Sequence, residues 1–187
     1  KNRIQVLNIL NSKIDFFINI GDIREDVNHI NAINIDKNFL YIGLNNGHEK
    51  NEFKNAQIIK IPTDQVFKLK SFDALDHGDL INLNGVYHTH DIEKFDDDFL
   101  ISSSNLGKIY SLNSKKFITD INPWTRGIAL GSNSIFIGKS GMGKRKSRHS
   151  RYYDGEIFII DKSSLSFIKK IIIPKIGQLN DIIYVED

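Results

Sequence analysis

Apolar residues along this chain come in short runs separated by polar punctuation. No window of a dozen residues repeats apolar positions at i, i+3, i+4 and i+7 without meeting a Gly, Asn or Pro, so helical signals are poor. Segments rich in Ile, Phe, Val and Tyr instead recur between Asn, Asp, Gly and Ser clusters. They are Ile14 to Ile20, Ile30 to Ile35, Phe39 to Leu44, Phe99 to Ser103, Lys108 to Leu112, Ser134 to Gly138 and Glu156 to Ile160. Branched and aromatic side chains between turn formers predict strands, and the chain reads as all-β.

Stacking the segments exposes an internal repeat. His29-Ile-Asn-Ala-Ile33, His88-Thr-His-Asp-Ile92, Trp124-Thr-Arg-Gly-Ile128 and Gln178-Leu-Asn-Asp-Ile182 each place a polar residue two before an Ile. A second strand follows the first three, at Phe39 to Gly43, Phe99 to Ser103 and Ile135 to Gly138, and a third at Gln57 to Ile61, Lys108 to Leu112 and Glu156 to Ile160. Val66 to Leu69, Lys116 to Asp120 and Phe167 to Ile173 read as the fourth strands. Successive repeats start 59, 36 and 54 residues apart, around the ~40 to 50 residues of a common propeller blade. The middle unit is the bare blade. The longer ones carry insertions at Asn45 to Ala56 and Lys139 to Gly155, and a connector at Asp73 to Gly85. Arg3 to Ile9 and Lys13 to Ile20 read as third and fourth strands, while Asn180 to Val185 reads as a lone innermost strand. The expected fold is a β-propeller of four-stranded antiparallel blades, about four of them covered, with one blade incomplete or shared between the termini. Residues 1–187 are then a single propeller domain or the C-terminal portion of a larger one.

Composition narrows the options. With 187 residues and 40% hydrophobic content the chain can bury a substantial core. Lys and Arg number 25 against 23 Asp and Glu, a net charge of +2, which makes neither nucleic acid nor membrane the general partner. The absence of cysteine excludes disulfides, thiolate zinc sites and a Cys nucleophile. Apolar runs such as Ile171-Ile172-Ile173 stop far short of the ~20 residues of a membrane span. Lys1 is not an initiator Met, so the natural start is expected upstream; the compartment stays open, with the cytoplasm slightly favoured.

With the strands located, the chain resembles a family of uncharacterised bacterial propeller-like proteins. The matching stretches are Asn28-His-Ile-Asn31, Tyr87-His-Thr-His90 and Trp124-Thr-Arg-Gly-Ile128, in that order and followed by a basic loop, over about Ile4 to Val185. The resemblance implies a fold and no activity. More distantly the repeat is similar to propellers of the gluconolactonase, strictosidine-synthase and streptogramin-lyase type, which implies residues at the starts of innermost strands around a central metal.

The first candidate site is the set of polar residues heading the innermost strands: His29, Asn31, His88, His90, Asp91, Thr125, Arg126, Asn180 and Asp181. Blades arranged about an axis bring such positions to one mouth of the channel. The expectation there is a pocket for a small polar or anionic ligand, with Arg126 suited to a carboxylate or phosphate. His88, His90 and Asp91 are the candidate ligands of a divalent metal, calcium or zinc. The plain reading of the same residues is hydrogen bonding between blades.

The second candidate is the loop containing Lys144, Arg145, Lys146, Arg148 and Arg151, an anion-binding patch or simply a solvated insertion. Gly138 to Lys144 matches the spacing of a phosphate-binding loop, but Arg145 stands where Ser or Thr is needed, and the match reads as chance. No Ser lies in a nucleophile elbow, and Asp96-Asp97-Asp98 reads as a turn. Two functions remain open: a propeller binding module for a small ligand or a protein partner, and a metal-assisted hydrolase or lyase. The residues alone do not settle whether the chain is an enzyme.

Overall fold

A computed structural model describes residues 2–21, 29–48, 55–121, 123–141 and 153–185. The chain divides into two compact units, Lys1–Thr89 and His90–Asp187. No helix among the described residues is long and apolar enough to cross a membrane.

The first unit is built from β1 (Arg3–Asn8), β2 (Lys13–Asn19), β3 (Ile30–Ile35), β4 (Phe39–His48), β5 (Gln57–Pro62), helix α1 (Thr63–Leu69), β6 (Phe72–Asp73), helix α2 (Ala74–His77) and β7 (Asp79–Asn82). Strands β3, β4, β5 and β7 form a four-stranded antiparallel sheet in that order. Antiparallel β1 and β2 form a second sheet, which β6 joins as a short parallel strand beside β2. Alternation explains the core: Phe16, Ile18 and Ile20 point inward from β2 and its end, to meet Leu40, Ile42 and Leu44 of β4.

One expectation fails in this unit. Val66 to Leu69 is not the fourth strand but part of α1, and the true fourth strand is β7, inside the segment read as a connector. The apolar Val66, Phe67 and Leu69 read like a strand. Pro62 ends β5, however, and Asp64 in the first turn and Lys68 in the last complement the helix dipole. The helix buries only Val66.

The second unit contains β8 (Thr89–Phe95), which begins on the last residue of the first, β9 (Asp98–Ser103), a 3-10 turn (Ser104–Leu106), β10 (Lys108–Ser111), β11 (Lys116–Asp120), β12 (Thr125–Leu130), β13 (Ser134–Lys139), β14 (Gly155–Asp161) and β15 (Phe167–Ile173). They make two four-stranded sheets, β8 to β11 and β12 to β15, each meandering from one strand to the next. These are the bare blade and the blade after it. Leu100, Ile109 and Ile121 from the first pack on Ile128, Ile135 and Ile137 of the second. Each such side chain contributes ~1.5–3 kcal/mol by leaving water.

Turn chemistry sets the hairpins. Asp161 accepts hydrogen bonds from the N–H and hydroxyl groups of Ser163 and Ser164, which closes the turn into β15 and lowers its pKa to about 2. Asp98 likewise accepts from the Ser111 hydroxyl and the Asn113 N–H, so the acidic cluster serves a turn as expected.

The second correction concerns the C-terminal segment. Residues 176–185 form no ladder with any described strand, so Asn180 to Val185 is not a paired innermost strand. The segment nevertheless docks on the β12–β15 sheet, along a track that glycines leave open. A Cβ added at Gly127 would lie 2.5 Å from the Ile182 nitrogen and 2.7 Å from the Asp181 Cα, and one at Gly138 would strike Leu179 and Ile182. Tyr184 stacks on Phe136 with ring centroids 5.2 Å apart. Repeat periodicity correctly marks where the segment starts, but ladder pairing needs a neighbouring strand that the described residues do not supply.

Gly127→Ala should therefore destabilise the second unit by ~1–3 kcal/mol, the usual cost of overpacking. Urea unfolding checks the magnitude. Hydrogen exchange should show the loss of protection concentrated in residues 178–185, and uniform loss would argue against the track.

Candidate functional site

The expected site residues sit at the entrances to the first strands, and their backbone explains why. His29, His88 and Trp124 each immediately precede a first strand and hold positive φ values of 43°, 53° and 77°. Non-glycine residues adopt this region at a cost of order 1 kcal/mol, so neighbouring groups must hold them there.

In the first unit Asn45 is that neighbour. Its N–H donates to the His29 carbonyl and its carbonyl accepts from the His88 N–H, both at 3.2 Å. Its side-chain Nδ2 lies 3.2 Å from His88 Nδ1, so the amide donates to an unprotonated Nδ1 and leaves the imidazole proton on Nε2. Asn31 is half-buried on β3, beside a register shift between Ile30 and Ala32.

The second unit repeats the device. The Trp124 N–H donates to the Ser104 carbonyl at 2.6 Å, and the Trp124 carbonyl accepts from the Ser140 N–H at 3.0 Å. Thr125 and Arg126 follow and are buried at the head of β12. Arg126 Nη1 lies 3.0 Å from His90 Nδ1. A guanidinium can only donate, so His90 Nδ1 accepts and its proton also resides on Nε2. The His90 N–H is held by the Ser102 hydroxyl at 3.2 Å. Two buried hydroxyl oxygens of this unit, Thr125 Oγ1 and Ser104 Oγ, have no hydrogen-bond partner among the described residues.

Asp91 provides the electrostatic counterpart. Its carboxylate accepts the N–H of Ile92 at 2.8 Å and, across to the next sheet, that of Ile128 at 2.5 Å. Burial raises its pKa to about 7; the two N–H bonds oppose the rise, while the charges of Asp181 and Glu93 add to it. Glu93 is raised by burial and by Asp181 as well. Asp181, on the exposed tail, accepts from the Ile182 N–H at 2.8 Å, the same local bond that Asp91 makes one repeat earlier.

The structure thus joins His29 and His88 to Asn45 in the first unit, and in the second it joins His90 to Arg126 and sets Asp91 within the field of Asp181. Asn180 lies exposed on the tail. Among the described residues no three His, Cys, Asp or Glu side chains stand together as a metal ligand set. Lys144, Arg145, Lys146, Arg148 and Arg151 lie outside the described residues, as do the last three positions of the Gly138 to Lys144 stretch. Sequence reading missed Asn45, Ser104 and Ser140. Their signal was available, because each stands at the end of the second strand or just past it.

Similarity to known proteins bears on the fold. No protein-family model matches the chain, and no curated protein is similar to it in sequence. Among solved structures the Dos1 propeller superposes over 97% of this chain with a TM-score of 0.51 at 10% identity. The chain has a β-propeller-like fold. It spans 45% of the length of that propeller, and apo AztD from Citrobacter koseri matches more loosely, over 82% of this chain and 49% of its own, with a TM-score of 0.42 at 10% identity.

The Asp91 geometry has a pH consequence. A carboxyl whose folded pKa is raised from 3.8 to about 7 binds its proton more tightly folded than unfolded. Its contribution to stability is full below about pH 4 and is lost as pH rises through about 7. At ~1.4 kcal/mol per unit, discounted for solvent screening, the loss is on the order of 2–4 kcal/mol. Denaturant titrations between pH 5 and 8 should show this slope in the wild type, a smaller one in Asp181→Asn and little in Asp91→Asn.

Proposed function

We propose that the chain is a propeller binding module whose second unit takes a small anionic or strongly polar ligand at the head of β12. The observation that carries the reading is the Arg126 guanidinium, buried and hydrogen-bonded to a neutral His90, in a unit whose buried Thr125 and Ser104 hydroxyls have no bonding partner among the described residues. A buried guanidinium favours bidentate carboxylate or phosphate groups. Each unsatisfied buried hydroxyl costs ~1–3 kcal/mol, a cost that a ligand oxygen would offset.

Position within the repeat supports the same reading. Asn31, His90, Arg126 and Asn180 each stand two residues before the Ile that closes their segment. The His90–Arg126 bond shows two such positions from consecutive repeats in contact within one unit. Asp91 and Glu93, being carboxylates, would bias the site toward ligands that approach from the Arg126 side.

The test is calorimetric titration with inorganic phosphate and a panel of small carboxylates and sugar phosphates. Arg126→Ala should weaken any binding by ~1.5–3 kcal/mol while circular dichroism stays unchanged. Equal binding by the variant, or no heat with any member of the panel, would overturn the proposal.

A further inference from the structure

Away from the strand heads, the outer rim of the second unit carries an unusual edge. β15 is the last strand of its sheet, so one side of its backbone is unpaired among the described strands. Edge strands are ordinarily kept short or interrupted, because unpaired N–H and C=O groups template another chain. β7 and β11 follow that rule with four and five residues. β15 has seven residues and no proline, and Phe167, Ile168, Ile171 and Ile172 are each 45–59% exposed.

Two features beside this edge define what would fit it. The first is charge. Lys139 and Lys170 both bond to Glu156, at 2.7 and 2.8 Å, leaving the three groups with a net positive charge at the rim. Lys170 is directly opposite Phe158 in the β14–β15 ladder, which puts it on the Phe158 face. The second is a cleft of about 430 Å³ on that same face, between β11 and the β14–β15 hairpin. It is lined chiefly by Ile118, Ile121, Phe158, Leu165 and Phe167, and its volume falls in the ~300–1,000 Å³ range of ligand sites.

We propose that β15 accepts an extended segment of a partner protein as an added antiparallel strand, with an acidic side chain against Lys170 and an apolar side chain in the adjoining cleft. β15 bulges at Ile168, so Lys170 and Phe167 stand opposite Phe158 and Ile160, two residues apart on β14. An added strand that follows the same register places its acid opposite Lys170 and its apolar group opposite Phe167 two residues apart. The recognised pattern is acid, any residue, apolar. Main-chain bonds supply affinity and the cleft supplies specificity, as in other strand-addition modes. A second copy of this chain fits less well, because antiparallel pairing of two β15 strands about their centres sets the two Lys170 ammonium groups directly opposite each other on one face.

The experiment uses a fluorescein-labelled, end-capped peptide of about nine residues, alternating valine and threonine around a central acid, threonine, phenylalanine triplet. Anisotropy should show saturable binding. Affinity should fall about tenfold or more with Lys170→Glu, with Phe167→Ala, and for a peptide carrying lysine in place of the acid. Amide exchange in residues 167–173 should slow on binding. The charge-swapped peptide keeps the test decisive even where a variant folds poorly. Absence of saturable binding, indifference to Lys170→Glu and to the peptide swap, or unchanged exchange in 167–173 would each overturn the proposal. So would peptide-independent self-association that protects the same amides, which would assign the edge to a second copy.

Discussion

The structure depends on a backbone constraint repeated at the entrance to its first strands. A residue in the left-handed region, His29, His88 or Trp124, turns the chain into the strand. That geometry is costly for a side chain of this size, and hydrogen bonds brace it: His29 through its carbonyl, His88 through its N–H and Trp124 through both. In each unit one residue past the second strand's core positions, Asn45 or Ser104, accepts the N–H of the residue that starts the next repeat. Within the second unit the Ser104–Trp124 bond is therefore a link between consecutive sheets as well as a brace on a strained turn. Apolar packing then acts on sheets already in register, as Leu100 and Ile109 do against Ile128 and Ile135.

Much of this was legible in the sequence because the repeat is written in pairs of features. The polar residue two before an Ile marks the head of each first strand, and β3, β8 and β12 begin within a residue of where it places them. Short runs of Ile and Phe between turn formers located β13 and β14, because branched and aromatic side chains suit a pleated surface packed on a core. Legibility ended where a segment's partner decides its state. Val66 to Leu69 is apolar as a strand is, yet becomes helix because Pro62 and Asp64 start one and β7 takes the outer position. Asn180 to Val185 has strand-forming composition but no ladder partner, and a single sequence carries no record of that.

The site was legible in residue type and less so in chemistry. His90 and Arg126 were expected near each other, but the direction of their bond, a guanidinium donating to a neutral imidazole, follows only from the geometry. Asp91 was considered a metal ligand. Its oxygens hold the N–H groups of Ile92 and Ile128, and burial together with the charge of Asp181 raises its pKa to about 7. No motif announces such a shift, because burial and a charge ninety residues away produce it.

The repeat also supplies an internal comparison that separates structural polar groups from available ones. Ser104 and Ser140 occupy corresponding places, each engaging Trp124, the first through its carbonyl and the second through its N–H. Ser140 Oγ is fully occupied: it donates to the Leu179 carbonyl at 2.8 Å and accepts from the Leu179 N–H at 3.1 Å, so this hydroxyl fastens the tail to the sheet. Ser104 Oγ is equally buried and makes no such bond. Fold stability explains the first hydroxyl completely and the second not at all. An unsatisfied buried hydroxyl is a net cost to folding, so the two serines, alike in position, contribute to stability in opposite directions.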